Sequence, residues 1–149
     1  MTTKADFTEE EWTQVVEGPT SAGMIVTTAE RGGTFRETFA MAAAYTDARK
    51  EHGASELLDE IVSHRPKTDR IKAHSKEELK AGYLDELRAA VALVEAKATP
   101  AELGDYRLFV VTLAKKVAAA KKEKGSDDGV TPAEAAAITE IEGALGSAA

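Results

Sequence analysis

Glu60 and His64 lie one helical turn apart, and a carboxylate and an imidazole on one helix face are a natural pair of ligands for a divalent metal. A di-iron bundle site needs two Glu-x-x-His motifs and two further Glu residues, and the chain contains no Glu-x-x-His. His52 follows Glu51 directly, so its side chain leaves in another direction, and His74 falls in a polar stretch. A surface ion pair is the expectation for Glu60 and His64. Asp127-Asp128-Gly129 raises a calcium loop instead. With Gly129 at the sixth position of an EF-hand, Lys124 would stand first and Ala135 twelfth, where carboxylates are required. The EF-hand is excluded. The adjacent carboxylates read as turn formers bonding nearby amides, with a non-EF cation site at Asp127, Asp128 and Glu134 left open.

Residues 64–76 form a strongly basic stretch in an acidic chain, with Arg65, Lys67, Arg70 and Lys72 as candidate contacts to a negatively charged partner. It has no aromatic residue on which a base could stack, so a solvated linker over 63–75 is the leading reading and nucleic acid is not the expected partner. Arg31-Gly32-Gly33-Thr34 resembles a phosphate cradle only superficially. The Walker and dinucleotide-binding spacings are both absent, and a turn feeding a capped helix accounts for it. No Gly-x-Ser-x-Gly elbow and no His-Glu-x-x-His helix occurs. Three His residues give a catalytic triad little to work with, so no catalytic residue and no cofactor is assigned.

The elements that would position such groups are all helical. Aromatic residues make up 5% of the 149 residues, β-branched runs are short, and Ala, Glu, Lys and Leu dominate. The length suits one domain, 1–149, with a core that needs no staple. Cysteine is absent, which removes disulfides, thiolate metal sites and thiol nucleophiles. No run of ~18 apolar residues or signal-like start occurs, so a soluble, cytoplasmic protein without a membrane role is expected. A net charge of −7 opposes attraction to phosphates.

Helix starts are marked by capping boxes, a Ser or Thr followed three residues later by Glu. The pairing occurs at Thr8/Glu11, Thr34/Glu37, Ser75/Glu78, Thr99/Glu102 and Thr131/Glu134. Thr27/Glu30 and Thr139/Glu142 fit the spacing but lack an upstream breaker. The pattern predicts a first helix over 8–17 with Trp12, Val15 and Val16 inward and Phe7 as a staple residue. Gly18-Pro19 is expected to break it, with Pro19 opening a second helix through Met24, Ile25 and Val26. A third helix over 34–50 should bury Phe35, Phe39, Ala42 or Ala43, and Tyr45, and end near Gly53; a short one carries Leu57, Leu58, Ile61 and Val62.

Two long helices, 75–98 and 100–124, follow. The first has its stripe at Leu84, Leu87, Val91, Val94 and Ala98; the second at Leu103, Tyr106, Val110, Leu113, Val117 and Ala120. A last helix from Thr131 to about Leu145 buries Ala136 or Ala137, Ile138, Ile141 and Leu145, and 146–149 fray. The expected fold is all-α, a compact bundle of six to seven helices built around the two long ones.

At the last helix entry, Asp128-Gly129-Val130-Thr131-Pro132-Ala133-Glu134 resembles the Asp-Gly-x-Val-Ser/Thr-x-x-Glu turn of the TerB-like tellurite-resistance family. Glu30-Arg31-Gly32-Gly33-Thr34-Phe35-Arg36-Glu37 is a looser echo that keeps Gly-Thr-x-x-Glu. The resemblance implies an internally repeated helical domain from bacterial stress or phage defence, with acidic residues near the turns binding divalent cations. Arg31 or Gly32 stands where the family has Asp, so Asp127, Asp128 and Glu134 are the positions that carry over. The leading functional expectation is a non-enzymatic interaction or assembly protein acting on a protein partner or as a homo-oligomer. A divalent-cation or small-ligand domain using the 127–134 turn is the alternative.

Overall fold

The computed structural model describes residues 3–29, 35–50, 56–63, 75–119 and 132–146. They form a 3-10 turn, Lys4–Asp6, and six α-helices: α1 (Glu9–Ala29), α2 (Phe35–Lys50), α3 (Glu56–Ser63), α4 (Lys76–Lys97), α5 (Pro100–Ala119) and α6 (Pro132–Ala144). The fold is all-α, as the periodicity predicts. None of the described helices is long and apolar enough to cross a membrane.

Local chemistry sets the helix starts. Thr8 Oγ1 accepts the Glu11 amide at 3.1 Å, and Glu11 Oε1 accepts the Thr8 amide at 2.8 Å. Phe7, just before this cap, meets Trp12 with ring centroids 5.8 Å apart, which closes a hydrophobic staple. Thr99 and Glu102 repeat the reciprocal box at the start of α5, with Pro100 in the first helical position. Ser75 caps α4 through the Glu78 amide. Thr139 lies inside α6 and bonds back to the Ala135 carbonyl, which explains why its box spacing marks no start. Gly146 ends α6 in the left-handed region (φ 66°), its amide on the Gly143 carbonyl; residues 147–149 lie outside the described residues.

Packing departs from the sequence reading in three places. First, α1 does not break at Gly18-Pro19 but runs through both residues. Second, the most extensive packing is between α1 and α4, not between α4 and α5. Helix α1 packs along α4 and against α5 and α6, α5 carries α2 and α3 on another side, and α4 and α5 touch each other little. Joined by Ala98-Thr99 alone, these consecutive helices have no loop with which to fold back face to face. Third, Ala42 and Ala43 are exposed and Ala44 is buried. The inward face of α2 is set by Tyr45, which meets Phe109 of α5 edge-on at 5.2 Å. The stripes of α4 and α5 are buried at Leu84, Leu87, Val91, Val94, Leu103, Tyr106, Val110, Leu113 and Val117.

The continuity of α1 has a specific cause. A proline inside a helix deprives the carbonyl four residues earlier of its amide donor. Here that carbonyl is Val15, and it accepts the Tyr106 hydroxyl of α5 at 2.6 Å. Burial pushes the Tyr106 pKa well above its ordinary value, with Tyr45 adding to the shift, so the hydroxyl stays protonated as a donor. Gly18 makes room for it. A Cβ there would run into the Tyr106 hydroxyl and stand 2.8 Å from Ala90 Cβ of α4. The pair that looked like a break is the point where three helices cross.

Candidate functional site

Among the described residues, a groove of about 490 Å³ lies between α2, α3 and α5. Pockets between bundle helices that take small ligands or side chains run from roughly 300 to 1,000 Å³. Ala44 and Ala48 of α2, Leu58 of α3 and Phe109 of α5 form its apolar lining. Alanines on α2 leave the space that longer side chains would fill, and the Tyr45–Phe109 contact fixes the floor beneath. Leu108 stands at the edge with 66% of its surface exposed. It is the one large hydrophobic residue exposed to that degree among the described residues.

Four charges line the rim: Asp47 and Lys50 from α2, Asp105 and Lys116 from α5. Lys116 Nζ meets Asp47 Oδ2 at 2.7 Å and bridges the two walls. That hydrogen bond and the Lys116 charge, with a smaller contribution from Lys50, hold the Asp47 carboxyl below the usual carboxylate range. Asp47 is thus ionised at neutral pH, and the rim is balanced in sign, two acids against two bases.

A second polar cluster ties down the N-terminal residues. Lys97 Nζ contacts Glu11 Oε1 at 2.7 Å and the Asp6 carbonyl at 3.0 Å, and lies 5.4 Å from the Phe7 ring centroid. Glu60 Oε2 accepts the Lys4 amide at 3.0 Å, so the carboxylate read as one half of a Glu60/His64 pair holds the 3-10 turn. His64 lies outside the described residues, as do Arg65, Lys67, Arg70 and Lys72 of the basic stretch. Asp127 and Asp128 lie outside them too, and of Glu134 only the backbone, within α6, is described. Among the described residues no three His, Asp or Glu side chains converge as metal ligands would. The groove was missed because Leu108 falls between the stripe residues Leu103, Tyr106 and Val110 and reads as an ordinary helix position. An apolar residue off the stripe of a capped helix was the available signal.

Comparison with known proteins adds no likeness: no family model matches the chain, and neither does any curated protein or solved structure.

Proposed function

We propose that this chain is a non-enzymatic interaction protein whose α2–α3–α5 groove receives an apolar side chain from a protein partner. The observation that carries the reading is Leu108, a leucine two-thirds exposed beside an apolar groove, on helices whose other large apolar side chains are mostly buried. A contiguous apolar patch rimmed by polar groups marks docking sites in soluble proteins, and Leu108 extends the apolar lining of Ala44, Ala48, Leu58 and Phe109 into such a patch. A balanced rim of two acids and two bases supports a protein partner over a polyanion, since phosphate backbones are held by net positive surface.

Affinity capture with three baits tests this: the wild-type chain, Leu108→Asp, and Arg88→Asp on α4, outside the groove lining. The expected result is a partner retained by wild type and Arg88→Asp and lost with Leu108→Asp, all three melting alike. Equal retention by all three removes the groove from the interaction.

A further inference from the structure

We propose that the groove's occupant is a second copy of this chain, docked about a two-fold axis so that each Leu108 enters the other's groove; this rests on the groove being a docking face. In a two-fold interface the same patch serves both subunits, so residue i of one meets residue j of the other and the contact is made twice. The groove is built for that exchange. It carries both a projecting apolar side chain, Leu108, and the apolar recess of Ala48, Leu58 and Phe109 that would receive it.

The charges point the same way. Each wall carries one acid and one base: Asp47 and Lys50 on α2, Asp105 and Lys116 on α5. Asp47 and Lys116 already pair within the chain. Lys50 on one wall and Asp105 on the other are of opposite sign, so a two-fold that lays the α2 wall of each copy on the α5 wall of its mate pairs Lys50 with Asp105. A strongly acidic or strongly basic partner would face a like charge in one of these two positions. Two copies of a chain with net charge −7 repel at long range, so they associate with least penalty through a face that is neutral and self-complementary.

Sedimentation velocity over a hundredfold concentration range tests the proposal on the full chain. The expected result is a concentration-dependent dimer for wild type and a monomer for Leu108→Asp with unchanged helical content. Lys50→Glu alone and Asp105→Lys alone should each weaken the dimer at least tenfold, and the two together should regain it. A wild-type chain that stays monomeric, a dimer indifferent to Leu108→Asp, or a double reversal that regains nothing overturns self-docking. A monomer that still loses a captured partner on Leu108→Asp would overturn self-docking alone and leave the docking groove standing. Capture insensitive to Leu108 would bring down both.

Discussion

Replacing Tyr106 with Phe removes one oxygen from the centre of the bundle, and its effect follows from Pro19. The hydroxyl is buried and donates to the Val15 carbonyl, a position to which Pro19 brings no amide. Leaving a buried acceptor without its donor costs about 1–3 kcal/mol, so a loss of about 2 kcal/mol is expected. For a domain near 150 residues each kcal/mol moves the melting temperature by about 2–4 °C, which gives a fall of about 4–8 °C. The sharper test is the cycle with Pro19→Ala. Alanine restores an amide that can reach Val15, so in that background Tyr106→Phe should cost less, with a coupling of about 1 kcal/mol. Urea unfolding followed by circular dichroism measures all four corners. A cost equal in both backgrounds would refute the claim that Tyr106 substitutes for the missing amide of Pro19.

Gly18→Ala should destabilise by about 1–3 kcal/mol, because its Cβ meets the Tyr106 hydroxyl and Ala90, whereas Gly143→Ala, with open space at its Cβ, should stabilise by about 0.5–1 kcal/mol. Thermal melts of the two variants separate the signs. Leu108→Asp should shift stability by no more than about 0.5 kcal/mol, since the side chain is mostly in water. In acid, the Glu11 carboxyl is held low first by its hydrogen bond to Lys97 and then by the Thr8 amide. A depressed folded pKa gives stability that is present above the ordinary carboxylate range and lost as pH falls through the lowered value. Lys97→Met should therefore flatten the fall in melting temperature below about pH 4.3. Calorimetry with calcium, magnesium, manganese and zinc decides the cation reading of Asp127, Asp128 and Glu134. A one-site heat abolished by Asp128→Asn supports it, and silence for all four removes it.

Short-range chemistry was legible in the sequence. Thr8/Glu11 and Thr99/Glu102 announce their helices because both partners of the box lie within one turn, and Leu84 to Val94 announce a buried face because helix geometry alone aligns them. What was illegible depends on residues far apart in the chain. Gly18-Pro19 reads as a break unless Tyr106, some ninety positions later, is known to supply the hydrogen bond that proline removes. Ala44 replaces Ala42 or Ala43 in the core because Tyr45 finds Phe109, a choice no local period encodes. The groove is of the same kind. Leu58, Ala48 and Leu108 come from three helices, and only their packing turns an unremarkable leucine into the rim of a recess.

A photo-crosslinking side chain at position 108 tests the central claim most directly. With benzoylphenylalanine in place of Leu108, irradiation should attach the chain to a polypeptide at that position, and to a second copy of itself if the two-fold docking holds. The same side chain in place of Arg88 should attach to nothing. No adduct at 108, or adducts equally abundant from 88, would contradict a docking groove between α2, α3 and α5.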